Sequence, residues 1–132
     1  MKNSLEDIKR AFKTFIEAKV TSLSGKVFAT YPENDAVIPC CVVDIVSASS
    51  DPLIEGGLMK GLARVTVVDD DTMTLDQLFD DVYIAFVQYG YAIEDFSFGR
   101  IFSISPLIPA VASKDEIYKR EMDIEISWIV VR

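Results

Sequence analysis

Residues 120–132 read Arg-Glu-Met-Asp-Ile-Glu-Ile-Ser-Trp-Ile-Val-Val-Arg. Met122, Ile124, Ile126, Trp128 and Val130 fall on alternate positions, with Glu121, Asp123, Glu125 and Ser127 between them. Successive side chains of a strand point to opposite faces, so this stretch predicts a strand with one apolar and one acidic face. An apolar strand face has to be covered by a second layer. The rest of the chain is read for what supplies that layer.

Two stretches have helical period. Leu5, Ile8, Phe12, Phe15, Ile16, Val20 and Leu23 recur at spacings of three and four, with Lys9, Arg10, Lys13 and Glu17 on the other faces. This predicts a helix over residues 5–23, with Ser4 as N-cap and Gly25 as terminator. Leu75, Leu78, Phe79, Val82, Phe86 and Val87 predict a second, capped at Thr74 through the Thr74-Leu75-Asp76-Gln77 box and closed by Gly90.

The remaining apolar stretches read as strands. Val27 opens a short one that stops at Tyr31-Pro32, ahead of a polar turn at residues 33–35. The nearly continuous run of residues 40–46 after Pro39 suits a strand covered on both faces. Over residues 61–69 a one-residue slip would turn Leu62, Val65 and Val67 inward and Arg64 and Thr66 outward. Residues 96–105 predict a half-buried strand in which Phe96 and Phe98, then Phe102 and Ile104, alternate with small residues. Pro106 and Pro109 make residues 106–113 an edge segment or loop, and residues 114–116 turn the chain into the final strand. The order helix, strands, helix, strands predicts an α+β fold, α-β-β-β-α-β-β. It is a mostly antiparallel mixed sheet with two helices on one face, in a single domain spanning residues 1–132.

Residues 47–60, with Asp51-Pro52 and Gly56-Gly57, read as a long irregular loop. It carries Leu53, Ile54, Leu58 and Met59. Two readings stand: a contact arm to another subunit, or residues tucked under the chain's own sheet or extending the flanking strands into a hairpin.

A chain of 132 residues buries about two-thirds of its unfolded surface, enough for a core of its own. Its mean hydropathy of +0.25 is high for a small domain, so some apolar surface is expected between subunits. Thirteen Lys and Arg against 21 Asp and Glu leave a formal charge of −8, which disfavours sequence-reading of nucleic acid and anionic membranes. Met1 leads into a polar segment, so no secretory leader is expected, and no apolar run approaches the roughly 20 residues of a membrane span. The cysteines, Cys40 and Cys41, are adjacent and would point to opposite faces of a strand, as small buried hydrophobes.

No catalytic pattern stands out. The chain has no histidine, no Gly-rich phosphate loop and no Gly-x-Ser-x-Gly elbow. Asp69-Asp70-Asp71 diverge in an extended chain and read as a solvated turn ahead of a helix, so no metal or other cofactor is expected. Glu121, Asp123 and Glu125 sit side by side on one strand face and do not flank a cleft.

The element order, the stretch from Tyr31-Pro32-Glu33-Asn34-Asp35 through Cys40-Cys41-Val42-Val43-Asp44-Ile45 and the amphipathic last strand resemble the tail terminator, or tail-to-head joining, proteins of long-tailed bacteriophages and prophages. The resemblance implies a non-enzymatic virion protein assembled in the bacterial host cytoplasm. It implies a hexameric ring that caps the tail tube, joins it to the head connector and lets DNA pass without sequence-specific binding. Leu53, Ile54, Leu58 and Met59 would then reach a neighbouring subunit or ring. Asp69, Asp70 and Asp71, or Glu121, Asp123 and Glu125, would face the lumen and repel DNA. The alternative is a small cytoplasmic ligand-binding or regulatory domain, dimeric through a sheet edge.

Overall fold

The computed structural model describes residues 5–28, 38–50, 58–93, 96–109 and 117–129. Ser4, the turns at 33–35 and 114–116, Leu53, Ile54, residues 110–113 and Val130 lie outside them. In chain order the elements are α1 (Leu5–Lys19), β1 (Val27–Phe28), β2 (Cys40–Ser50), β3 (Leu58–Asp69), α2 (Thr72–Tyr89), β4 (Ser97–Ile104), β5 (Ile108–Pro109) and β6 (Tyr118–Ile129). The strands form one six-stranded sheet in the order β1-β2-β3-β6-β4, with β5 also on β6. β1 runs parallel to β2, and every other pairing is antiparallel. The α+β class and element order are those expected from the sequence.

β6 is the sheet's spine. Met122, Ile124, Ile126 and Trp128 are buried, and the residues between them are only half-buried. On one side β6 pairs with the whole of β3, Arg64 opposite Asp123 and Val65 opposite Met122. On the other it pairs with β4, Ile101 opposite Ile124. Both helices cover the apolar face. Ile8, Phe12 and Ile16 of α1 meet Leu75, Phe79, Val82 and Phe86 of α2 over Val43, Ala63, Val65 and Val67. Aromatic rings join the layers at Phe86, whose ring lies 4.9 Å from Phe15, 5.5 Å from Phe12 and 6.2 Å from Phe98, centre to centre.

Several local expectations are corrected. Helix α1 ends at Lys19, and residues 21–23 continue as a 3-10 turn that still buries Leu23; Gly25 follows at φ 74°, which suits glycine. Leu5 is exposed, outside the stripe. Helix α2 starts a turn earlier than Thr74. Its N-cap is Asp71, whose carboxylate accepts from the Met73 N–H at 3.1 Å and the Thr74 hydroxyl at 2.9 Å. Asp satisfies the same orphan amides as Thr, and here it also recruits Thr74. Within α2, Val87 is exposed and Ala85 takes the buried place.

The described ends of the long irregular segment are strand. Residues 47–50 belong to β2 and Leu58, Met59 and Lys60 to β3, paired Ser47 to Leu62 and Ser49 to Lys60. Serine and alanine are weak strand formers, but an adjacent strand already held on β6 supplies the missing ladder. The slip expected in β3 is instead a bulge at Val46 of β2, between Ile45 and Ser47. β3 keeps an unbroken register with β6, so Leu62 shares the outer face with Arg64, and Ala63 points into the core. The hairpin needs Gly61: a β-carbon there would lie 2.4 Å from the Ser47 carbonyl oxygen and 3.1 Å from the Trp128 ring.

In β4 the pairing to β6 jumps between Phe98 and Arg100 and again between Ile101 and Ser103. Each jump adds a residue, so the faces repeat every three positions. Phe98 and Ile101 pack on the core, while Phe102 and Ile104 are exposed, against the strict alternation expected.

Candidate functional surface

The helix-covered face of the sheet is filled. Among the described residues the opposite, outer face is open toward the β2–β3 hairpin and carries most of the sheet's polar chemistry, while at its other end Cys40, Val42, Thr66 and Val68 are buried. Its centre is the row expected to be an acidic ladder. The structure puts Glu121, Asp123 and Glu125 on this face as predicted, but it also puts cations beside them. Arg64, opposite Asp123 in the register, donates from Nε at 2.9 Å and from Nη2 at 3.3 Å to the two Asp123 oxygens. That fork holds the Arg64 guanidinium protonated even more firmly than usual. Glu121 accepts from the Thr66 hydroxyl at 3.3 Å and lies 3.8 Å from Lys119 Nζ. Arg100 binds Glu125 with Nε at 2.9 Å. Sequence reading missed Arg64 and Arg100 because they come from the neighbouring strands β3 and β4, whereas Lys119 lies on β6 itself. The available signal was the i, i+3 recurrence of Ser97, Arg100 and Ser103, the mark of a bulged strand.

Toward the β2–β3 hairpin the outer face forms an open groove of about 500 Å³, lined by Ser47, Ser49, Lys60, Leu62, Glu125 and Ser127 among others. At the other end Cys40, Val68 and Ile117 form a small apolar cluster under Phe28 and Ile38. Cys41, one residue on, lies in the main core. Burial pushes the Cys40 thiol up to about 11, helped by the nearby Asp69 charge, and raises Cys41 as well. Both thiols therefore stay protonated and unreactive near neutral pH.

Asp69, Asp70 and Asp71 do not act as one group. Asp69 is buried at the end of β3, accepts from the Asp70 N–H at 2.8 Å, and has its carboxyl raised above the ordinary range chiefly by burial. Asp71 is the helix cap, and its hydrogen bonds from Thr74 and Met73 hold its carboxyl below the ordinary range. Among the described residues no cluster of three metal-ligating side chains occurs. Of the apolar quartet, Met59 is half-buried against the core, Leu58 starts β3, and Leu53 and Ile54 lie outside the described residues.

Two further surfaces carry unburied apolar groups. The outward side of α2 shows Met73, Ile84 and Val87, with Tyr91 just past its end. The β4 edge shows Phe102 and Ile104, followed by Leu107. Exposed apolar side chains grouped in this way mark contact surfaces.

No family model matches the chain, and no curated protein matches it. Among solved structures the chain is similar in fold to a chain of the virion of a native gene transfer agent (GTA) particle, with a TM-score of 0.52 at 12% identity. The match covers 93% of this chain and 95% of that one. No described helix is long and apolar enough to cross a membrane.

Proposed function

We propose that this chain is a structural subunit of a phage or prophage tail. Copies form a ring, six by the resemblance read from the sequence, that terminates the tail tube and joins it to the head connector. The observation that carries this reading is the near end-to-end fold likeness to a virion chain. An open polar sheet face fits the same role. The mechanism is geometric: one head-to-tail interface repeated by rotation until it closes. Tube and connector proteins are the other partners, and the ring is part of the virion, assembled in the host cytoplasm.

In this reading the outer face lines the channel. Its arginines are held by Asp123 and Glu125, so they are poorly available to phosphates. DNA then passes a surface that neither grips it through counterion release nor repels it strongly. This changes the role expected of Glu121, Asp123 and Glu125 from repulsion to neutralisation. Leu53 and Ile54 serve as contacts to the adjacent ring, while Met59 packs against the chain's own core.

The test is sedimentation velocity over a wide concentration range, with negative-stain imaging, on the chain alone and with the tube protein of its particle. Closed rings are expected. Replacing Leu53 and Ile54 by serine keeps the unfolding midpoint and weakens assembly. The competing reading, a two-fold ligand-binding domain, draws on the groove of about 500 Å³, a size that suits a small molecule. A two-fold dimer whose melting point rises with a metabolite would replace the ring reading.

A further inference from the structure

Among the described residues the sheet has two open edges. β4 ends it on one side. On the other, β1 pairs with β2 only at Cys41 and Val42, so among the described residues no strand covers residues 44–50 of β2. Open edges are templates for pairing with another chain, and proteins usually shorten, charge or cover them. β4 is eight residues long with one charge, Arg100, and residues 44–50 of β2 carry one charge, Asp44.

We propose that β4 of one copy pairs antiparallel with residues 44–50 of β2 in the next, so that the sheet runs on from subunit to subunit. The proposal rests on the ring reading and names the surfaces that make the ring.

Strand direction comes first. β2, β3, β6 and β4 alternate, each antiparallel to its neighbour. β4 therefore runs opposite to β2 of its own chain. A copy set beside β4 without being turned over presents its β2 antiparallel, with both helix layers on the same side. The contact joins two different surfaces, which is the head-to-tail type that closes into rings.

The faces then match residue by residue. Ser97, Arg100 and Ser103 share the outer face of β4, as Asp44, Ser47 and Ser49 do in β2. Setting Ser103 opposite Ser47 brings Arg100 opposite Ser49, Ile101 opposite Ala48 and Ile104 opposite Ile45, with every pair on a common face. The bulge at Val46 then falls between the last pair and the first, and the β4 bulge at Phe102 beside Ser103. Bulges bend and twist a strand, as closing a sheet on itself requires. The side chains this would cover are the apolar ones left bare at the two edges: Phe102 at 53% exposure, Ile104 at 46% and Val46 at 40%.

Cross-linking tests the pairing. Within one chain, positions 103 and 47 lie on strands separated by β3 and β6. Three strand spacings are about 14 Å, beyond the roughly 4.4–6.8 Å between α-carbons that a disulfide spans. Any bond between them joins two copies. Chains carrying Ser103→Cys and Ser47→Cys separately are mixed, oxidised mildly and run on a non-reducing gel, with sedimentation in parallel. A cross-linked pair is expected only in the mixture, and the double variant should give a ladder up to ring size. Cys40 and Cys41 are buried and do not compete. Assembled particles without a cross-link, both here and with Ser49→Cys two residues along, overturn the β4–β2 pairing and leave the ring standing. A chain that stays monomeric at every concentration and with its tube protein overturns the ring, and the pairing with it.

Discussion

The two faces of β6 differ in almost every physical respect. On one, Met122, Ile124, Ile126 and Trp128 are buried under two helices and a cluster of phenylalanines. On the other, Glu121, Asp123 and Glu125 stand half-exposed beside cations: Arg64 of β3 at Asp123, Arg100 of β4 at Glu125, and Lys119 of β6 itself at Glu121. The first face holds the fold together, because removing apolar area from water is the dominant favourable term. The second face contributes little stability, because exposed ion pairs are weak. It is therefore free to serve an interaction.

Perturbing each face in turn sharpens that contrast. The largest effect belongs to the core. Phe86 meets Phe12, Phe15 and Phe98, so Phe86→Ala should cost about 3–5 kcal/mol in urea unfolding. A loss below about 1 kcal/mol would mean that the helix layer closes over the gap. Gly61→Ala comes next. Its new β-carbon meets the Ser47 carbonyl, a backbone atom that cannot yield without moving the hairpin, and about 1–3 kcal/mol of destabilisation is expected.

The cap of α2 gives a smaller, pH-dependent effect. Asp71 has a depressed carboxyl pKa, so its contribution is full above the unfolded value near 4 and fades as pH falls through the folded one. Asp71→Asn keeps an acceptor without a charge, so its thermal midpoint should fall less than the parent's between about pH 4 and pH 2. Identical acid profiles would remove the charge from the account. The smallest energetic effect is on the outer face. A double-mutant cycle on Arg64 and Asp123 should return about 0.2–1 kcal/mol, shrinking in salt. A coupling several times larger would make the outer face part of the structural core. Finally, a thiol reagent should leave Cys40 and Cys41 untouched in the native protein and label both on unfolding.

The two faces were also unequally legible. Period two in β6 and periods of three and four in both helices follow from local geometry, so strand, helices and their buried sides could be read directly. Where a second rule competed, local reading failed. Thr74 with Gln77 matches a capping box, yet Asp71 lies one turn earlier and binds both the Met73 amide and the Thr74 hydroxyl. In β4 the alternation of aromatic and small residues suggests a period of two, but the two bulges make it three. Residues 47–50 look like loop, because what makes them strand is the partner already in place.

The candidate surface was legible only by halves. Its carboxylates were visible as a row, but the cations that cancel them were not. Arg64 and Asp123 are 59 positions apart in the chain, and nothing in either neighbourhood names the other.

By itself, then, the sequence determined the two helices and the strongly periodic strand β6, which side of each is apolar, and that the two layers must meet. These are properties of a residue and its near neighbours. The folded chain alone decided the strand order, the neutralised charge of the outer face and the two edges left open. Each of those depends on which distant strands lie side by side, a choice made by the packing of the whole sheet.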